Sequence, residues 1–381
     1  MADSNYDYII LGAGASGLML AYRMAKDSYF DSKSILIIDR ELEKGNDRTW
    51  CYWEKGTGEW DSLLRKEWNA IYFGSHDYSQ RINLGSYSYK MIRSGKFYDQ
   101  LWQTINQKSN ISFIQTEVKE IKEGEGEVAV QATDNTYSGK KVFDSLVKPS
   151  VYSEQEEYPV LQQHFVGWFV ITKTPQFDDS LATFMDFSIP QKGNTRFMYV
   201  LPISKDKALL EYTLFSKDLL SFEEYEEAIK TYLDDKGINE FEIIEKEKGS
   251  IPMTSFKFSK LNTSNVLKIG TAGGWTKAST GYTFRNTTKK TKALIKFLKH
   301  NEDLSKFHHN SKFWFYDLLF LDVLANHNEK GSKLFASLFK KAKTKIILKF
   351  LDEETTYVED LSIITSVPTK QFLIAFFKRL F

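Results

Sequence analysis

This 381-residue chain has one cysteine, a small net charge and no long apolar run. Cys51 is the only cysteine, which excludes an intrachain disulfide and favours a reducing compartment. The first ten residues, MADSNYDYII, lack the basic and apolar regions of a secretory signal. No run of ~20 apolar residues is present to span a bilayer. We therefore expect a cytoplasmic protein whose only membrane contact would be peripheral.

The small net charge of +1 argues against a nucleic-acid-binding protein. The charge is uneven, however, because residues 281–381 contain 18 Lys and Arg but only 10 Asp and Glu. Within this region, KKAKTKIILKF (340–350) mixes lysine with apolar residues. Such a segment either docks on an anionic membrane or forms a solvated helix face. The six histidines show no metal-ligand spacing, His308 and His309 being the nearest pair, so no metal site is expected.

Aromatic residues, in contrast, are abundant at 15% of the chain. They indicate either a large apolar ligand or simply an aromatic-rich core. The apolar runs at 164–172, 195–204 and 207–215 are typical of strands separated by turns. Residues 221–237 form an amphipathic pattern that predicts a helix with Ser221 as its N-cap.

A glycine-rich turn lies close to the N-terminus. YDYIILGAGASGLMLAYRMAKD (6–27) passes from an apolar run through Gly12, Gly14 and Gly17 into a helical pattern. These glycines allow a tight turn, close approach of a pyrophosphate and close packing of helix on strand. The next apolar run, ILIID, ends at Asp39, where a ribose-binding acid is expected. The pattern predicts a dinucleotide site, with a ligand-free glycine turn as the alternative.

Two aromatic clusters accompany this turn. NDRTWCYWEKG (46–56) contains Arg48, which could meet a phosphate or a flavin edge, and Cys51, which has no histidine partner nearby and is interpreted as structural. AGGWTKASTGYTFRNT (272–287) is a second glycine-rich turn before a helix. A helix that begins at about Gly281 would direct backbone N–H groups towards a bound flavin.

Seven stretches together carry a more specific resemblance. They are ILGAGASGL, NDRTWCYW, FMDFSIPQ, RFMYVLPIS, ALLEYTLFS, GTAGGWTKASTGY and FLDEETTYVEDLSIITSVP. In this order they resemble the bacterial flavoprotein lycopene cyclases, relatives of the plant lycopene β-cyclases, over nearly the whole chain.

The resemblance implies an α/β fold like that of FAD-dependent hydroxylases. A Rossmann-type FAD-binding domain would be combined with an antiparallel β-sheet substrate domain and a helical C-terminal region. The expected boundaries are 1–75 for the FAD-binding βαβ unit, 76–150 for the rest of that domain, 151–255 for the substrate sheet, 256–300 for the return segment and 301–381 for the helical region.

The resemblance also implies an isomerase that acts on lycopene and its monocyclic intermediate. A proton adds to the terminal double bond, the carbocation closes a β-ionone ring and another proton leaves, without net redox change. Reduced FAD would stabilise the cation, with NADPH as the electron source, at a membrane surface. The alternatives are a flavin-dependent hydroxylase or desaturase of another isoprenoid, and a flavoprotein that only binds lipid.

Glu211 is the main catalytic candidate. The family's acidic strand motif matches Leu209–Thr213, with Glu211 on its first acid and Tyr212 in place of its second. Asp186 in FMDFS matches a Met-Asp pair of the family and is a second candidate. The string FLDEET (350–355) is closer by letters but lies in the helical tail, so we interpret it as unrelated.

Physical chemistry supports Glu211 independently. On a strand, Leu209, Glu211, Thr213 and Phe215 share one face. A carboxyl in such apolar surroundings has a raised pKa and can act as a general acid. A buried ion pair or an exposed edge position is the alternative interpretation.

The remaining cofactor candidates come from the family pattern. Arg93, before a predicted helix, matches a position that often faces the cofactor, although a surface arginine fits equally well. Gly270-Thr271 replaces the Gly-Asp pair that many flavoproteins carry at the second turn. We therefore expect different contacts there, from Gly273, Gly274, Thr280 and Gly281.

Overall fold

The computed structural model describes residues 5–308 and 311–380. One sheet has seven strands, which are, numbered in chain order, β1 (Asn5–Leu11), β2 (Ile35–Asp39), β8 (Ile111–Gln115), β9 (Val118–Glu123), β10 (Val128–Ala132), β11 (Thr136–Asp144) and β17 (Val266–Lys268). In this sheet β1, β2, β8, β11 and β17 run parallel, while β9, β10 and β11 form an antiparallel extension.

Three helices cover one face of this sheet: α1 (Ala15–Ala25), α2 (Ser94–Ile105) and α5 (Phe284–Leu298). Alternation along β1 explains this layering, since Ile10 packs towards the helices and Ile9 and Leu11 pack on the opposite face. The predicted strand, turn and helix around the first glycine turn are confirmed.

A second sheet of seven strands is largely antiparallel, with one parallel pair between the strands Ala70–Gly74 and Leu181–Asp186. In spatial order its strands are β16 (Phe241–Thr254), β12 (Val160–Thr172), β15 (Lys207–Ser216), β14 (Thr195–Ser204), β13 (Leu181–Asp186), β5 (Ala70–Gly74) and β6 (Ser79–Asn83). The chain therefore enters this sheet at residue 70, well before residue 151. A three-stranded antiparallel sheet, β3 (Thr49–Lys55), β7 (Tyr87–Arg93) and β4 (Leu64–Trp68), packs against it.

The two faces of β15 have different partners. Leu210, Tyr212 and Leu214 pack beneath α4 (Phe222–Asp235), whereas Leu209 and Phe215 belong to the core on the opposite face. Helix α4 begins with the predicted Ser221 cap, which forms a capping box with Glu224. The period-two pattern of β15 therefore places Glu211 on the inner face of the sheet.

The C-terminal region is helical, as expected. After the short α3 (Ser150–Ser153) earlier in the chain, the remaining helices are α6 (Lys312–Asn326), α7 (Gly331–Lys341), α8 (Thr344–Leu351), α9 (Tyr357–Ile364) and α10 (Thr369–Leu380). In α8, Ile347 and Leu348 are buried. The apolar side chains of 340–350 thus pack against the protein.

A buried ion pair joins this region to the second glycine-rich turn. Lys277, whose side chain is fully buried, donates to Asp317 of α6 at 2.8 Å and to Glu353 at 3.3 Å. Burial disfavours its charge, but the two carboxylates raise the pKa of Lys277 above its usual value. The backbone N–H groups of Thr280 and Gly281 both donate to the carbonyl of Lys277, so this residue also shapes the turn.

Candidate functional site

The first glycine turn has the geometry of a ligand cradle. Gly12 has a φ of +95°, and its N–H donates to the carbonyl of Ile38 at 2.8 Å. A Cβ on Gly17 would lie 1.9 Å from the Gly12 oxygen, which explains the close packing of α1 on β1. A Cβ on Gly14, the N-cap of α1, would meet no atom of the described residues within 4 Å. Open space therefore lies beside the positive end of α1.

Asp39 lies beside the glycine turn. At the end of β2, its carboxylate accepts from the N–H of Ala13 at 2.6 Å and from Lys44 at 3.1 Å. Gly12, Gly14 and Asp39 all line one cavity of about 730 Å³. The structure therefore brings the predicted dinucleotide residues together, with Gly17 acting through packing behind them.

Several buried polar atoms of the cavity lining have no hydrogen-bond partner among the described residues. Buried oxygens of Asp47, Gln163, Thr280 and Thr287 have no hydrogen-bond partner in the described protein, and all four residues line the cavity. Because buried polar groups are normally paired, these atoms fit a polar ligand such as a cofactor. A Cβ on Gly281, whose φ is +73°, would lie 1.9 Å from Gln163 Oε1. Glycine is therefore required at this wall.

The other predicted cofactor residues divide into two groups. Arg48 lines the cavity, and its backbone N–H donates to Ser94. Arg93 does not line it; this guanidinium pairs with Glu245 and lies 4.2 Å from the centre of the Phe169 ring. Gly273 and Gly274 serve the turn itself, since Cβ atoms there would approach the Lys268 carbonyl and Phe258. Helix α5 begins at Phe284, three residues after the predicted start.

The opposite end of the cavity holds Glu211. Its half-buried carboxyl lines the cavity and accepts from Thr213 Oγ1 at 2.7 Å. Burial, and then the neighbouring Glu247 carboxyl, raise the pKa of Glu211 from its usual 4.5 to about 8. Glu211 is thus protonated at neutral pH and placed against the cavity. Tyr212 faces away, and its hydroxyl accepts from Arg196 at 2.8 Å.

The cavity that contains Glu211 is rich in aromatic side chains. Some come from the aromatic clusters of the sequence at 46–56 and 272–287, whereas others, such as Tyr89 and Tyr199, were not predicted. Burial raises the pKa of Tyr89 and Tyr199 above the usual value, so these hydroxyls are neutral. Burial likewise raises the pKa of the Cys51 thiol, which agrees with its structural interpretation. The apolar and aromatic residues that line the cavity include Trp50, Tyr89, Phe165, Tyr199, Leu201, Leu209, Tyr282 and Phe284.

Two other acidic candidates lie away from the cavity. Asp186 is buried on β13, where it accepts from the Tyr232 hydroxyl at 2.9 Å and from the N–H of Ser188 at 3.0 Å. The acids of FLDEET form ion pairs instead. They join Asp352 to Arg285 at 2.6 Å, Glu354 to Lys289 at 2.7 Å and Glu353 to Lys277. Neither set reaches the lining of the cavity that contains Glu211.

Metal-ligating side chains do not cluster in the described ranges 5–308 and 311–380: no three or more His, Cys, Asp or Glu residues there are arranged to hold an ion. His309, one of the pair noted in the sequence, lies outside the residues that the structure describes.

Comparison with known proteins identifies the family. A family model described as "Lycopene cyclase protein" matches residues 7–377. The chain belongs to the lycopene cyclase family. This membership, predicted from the motifs, is confirmed and indicates an enzyme of carotenoid cyclisation.

Curated relatives of this lycopene cyclase family member are distant. A lycopene beta-cyclase of Pseudescherichia vulneris is 22% identical over 289 residues, which cover 72% of this chain and 70% of that protein. A chloroplastic neoxanthin synthase of Solanum lycopersicum is 27% identical over 306 residues, covering 73% of this chain but 57% of that protein. The chain thus matches little more than half of the plant relative.

Solved structures confirm the predicted fold class. A flavoprotein/dehydrogenase of Cytophaga hutchinsonii superposes with a TM-score of 0.60 at 13% identity, covering 98% of this chain and 100% of that one. For a geranylgeranyl bacteriochlorophyll reductase-like protein of Thermoplasma acidophilum the TM-score is 0.58 at 11% identity, with 97% and 95% covered. The flavin-dependent brominase Bmp2 gives 0.55 at 14%, with 98% of each chain covered. This lycopene cyclase family member therefore has a flavoprotein fold.

The length and hydropathy of the helices decide whether one of them could span a membrane. Within the part of the chain that the structure describes, no helix is both long enough and apolar enough to cross a bilayer.

Proposed function

We propose that the protein is a lycopene β-cyclase that closes the linear ends of lycopene into β-ionone rings, first to the monocyclic and then to the bicyclic product. The observation that carries this proposal is the position of Glu211: a protonated carboxyl at the aromatic end of a cavity whose other end is the glycine turn. Family membership narrows the substrate class to carotenoids.

Glu211 supplies the proton in this scheme. Its O–H bond breaks as the proton adds to the inner carbon of the terminal double bond, and the resulting tertiary cation is attacked by a second double bond to close the ring. A proton then leaves the cyclised cation, so atoms and charge balance without net oxidation. An alkene is a weak base and needs an acid that is still protonated, which a carboxyl with a pKa of about 8 is at neutral pH. Faces of Tyr89, Tyr199 and Tyr282 can stabilise the cation.

FAD fits the remainder of the cavity. Gly12, Gly14 and Asp39 would hold its dinucleotide part, while Arg48, Gln163, Thr280 and Gly281 would border the rest. When bound in its reduced form, with NADPH as the electron source, FAD would supply negative charge near the cationic transition state. The protein's own residues orient the polyene end, exclude water and hold the proton at Glu211.

We further propose peripheral attachment to an anionic bilayer through α10. Leu373, Ile374, Phe377 and Leu380 are each more than half exposed and, at helical spacing, share one face. The helix also contains Lys370, Lys378 and Arg379 but no acidic residue. A basic helix with an exposed apolar face suits a lipid surface, where a water-insoluble polyene would be found.

Expression in a lycopene-accumulating host, followed by pigment chromatography, tests the proposed reaction. Cyclised products, formed with no stoichiometric consumption of reductant by the purified enzyme, are expected. A hydroxylase or desaturase would consume reductant for each product, and a flavoprotein that only binds lipid would yield no product. Unchanged lycopene with a folded, FAD-loaded protein would reject the proposal.

A further inference from the structure

A second carboxyl lies beside Glu211 on the inner face of the second sheet. Gly167 of β12 is the Cα partner of both Glu211 on β15 and Glu247 on β16, so the three residues are in register across neighbouring strands. Residues in register share a face, and adjacent strands are about 4.8 Å apart. Glu211 and Glu247 therefore flank a position that has no side chain.

Gly167 is what allows the two carboxyls to interact. A Cβ at this position would lie 3.1 Å from Cγ of Glu247 and 3.5 Å from its Oε1. The Glu247 side chain therefore lies over Gly167, on the side towards Glu211. The proximity affects Glu211, whose pKa is raised first by burial and then by the Glu247 carboxyl.

The surroundings of the two carboxyls differ. Glu247 Oε2 accepts from Thr49 Oγ1 at 2.7 Å, and the nearby Arg93 and Arg48 also favour its charged form. Burial raises the pKa of Glu247, and the like charge of Glu245 on the same strand adds to this, although Glu245 is itself paired with Arg93.

Among the described residues, none of those that influence the pKa of Glu211 is a cation. Apart from Glu247 and the hydroxyl of Thr213, its titratable neighbours are Cys51 on β3, Tyr89 on β7, Tyr199 on β14 and Tyr282 before α5. Burial keeps each of these four groups neutral. When environments differ in this way, one member of an acid pair keeps the proton and the other keeps the charge.

We propose that Glu247 is a positioning residue for the acid site: it carries the negative charge of a carboxyl pair and leaves the single shared proton on Glu211. The catalytic role of Glu247 rests on the proposed cyclisation, but the titration that tests the carboxyl pair does not depend on that reaction. After Glu211 gives its proton to the alkene, two negative carboxylates face each other. Their repulsion makes the pair a stronger base, and it regains one proton from the cyclised cation.

The test is a titration of the protonated carboxyl by infrared spectroscopy, in FAD-loaded wild type, Glu247→Gln and Glu242→Gln, with Glu211→Gln used to assign the band. Glu242 is the matched control because it lies exposed on the same strand. Removal of the Glu247 charge is expected to lower the midpoint of the Glu211 band by about one pH unit or more. Glu242→Gln should leave it unchanged.

An unchanged midpoint in Glu247→Gln would overturn the proposal. Thr49→Val provides a second variant that does not depend on how Glu247→Gln folds. It removes the donor that favours the charged form of Glu247, so part of the shared proton should move to Glu247 and the Glu211 band at neutral pH should weaken. An unchanged Glu211 band would also contradict the proposal. A wild type that shows the coupled titration but does not cyclise lycopene would reject the proposed function while leaving the carboxyl pair established.

Activity gives a further readout. In an active enzyme, Glu247→Gln should shift the alkaline limb of the pH profile to lower pH, by the same amount as the infrared midpoint. A residue with a purely structural role would lower the rate at every pH without moving that limb.

Discussion

Glu211 on β15 and Tyr199 on β14 are Cα partners in the second sheet, and both side chains line the same cavity. The register of two antiparallel strands thus places a protonated acid next to a neutral aromatic hydroxyl. Burial raises the pKa of both groups, so neither is charged at neutral pH. A carbocation formed at this end of the cavity would lie between the carboxyl of Glu211 and the aromatic ring of Tyr199.

Glu211→Gln is expected to abolish cyclisation. The substitution keeps the shape of the side chain and removes its titratable proton, for an expected loss of about 10²- to 10⁴-fold in rate. Pigment analysis in a lycopene-accumulating host measures the effect, and bound FAD reports correct folding. Glu354→Gln, which removes an acid of the FLDEET string, should retain nearly full activity. Near-wild-type cyclisation by Glu211→Gln would show that another group donates the proton.

The activity of the wild type should decline above about pH 8. Glu211 must hold its proton to act as an acid, and its pKa is raised to about 8 by burial and by Glu247. A rate profile from pH 4 to pH 9.5 checks this, with FAD occupancy followed at each pH. A limb near the usual glutamate pKa of 4.5 would mean that Glu211 is ionised in the resting enzyme.

Glu211→Gln should also stabilise the protein at alkaline pH. The pKa of Glu211 is higher in the folded protein, at about 8, than its usual 4.5, so the folded state retains a proton that the unfolded state releases between these values. Stability from this group therefore falls as pH rises through that interval. The melting temperature of the variant should exceed that of wild type by more at pH 8 than at pH 5. An equal difference at both pH values would contradict the raised pKa.

Two glycine substitutions should separate packing from cofactor binding. Gly17→Ala forces a Cβ to within 1.9 Å of the Gly12 oxygen and is expected to cost about 1–3 kcal/mol of stability as well as FAD binding. Gly14→Ala meets no protein atom within 4 Å and should fold normally but bind FAD more weakly. Thermal unfolding and flavin absorbance measure the two effects. Full FAD occupancy in Gly14→Ala would argue against a ligand beside that residue.

The α10 face should determine lipid binding. Replacing Leu373, Ile374 and Phe377 by serine removes three exposed apolar side chains and should lower binding to anionic phospholipid vesicles at least tenfold, since each buried side chain contributes about 1.5–3 kcal/mol. Ile244→Ser, at an exposed site on β16, is the control. If sedimentation with vesicles is unaffected by the triple substitution, another surface binds lipid.

Short sequence patterns predicted those features of the molecule that are set by neighbouring residues in the chain. The glycine turn, the Ser221 cap and the inward orientation of Glu211 all follow from residues within one or two turns or strands. The flavoprotein fold also followed, because the motifs occur in a characteristic order along the chain.

Contacts between distant strands were not predictable in this way. Glu247 reaches Glu211 only through the register of β16 and β15 on either side of β12, which one sequence does not reveal. Asp186 follows an irregularity in the pairing of β13 with β14, and such a shift changes the face on which a side chain lies. The placement of β5 and β6 in the second sheet likewise depends on long-range pairing.

The buried Lys277 has a consequence for the order of events during synthesis. Its partners Asp317 and Glu353 follow it by 40 and 76 residues along the chain. On the ribosome, the loop that carries Gly281 is therefore made well before the carboxylates that neutralise its buried cation. The cavity wall becomes complete only when the last helices have emerged and docked, so the cofactor is expected to load on the finished chain rather than on a nascent one.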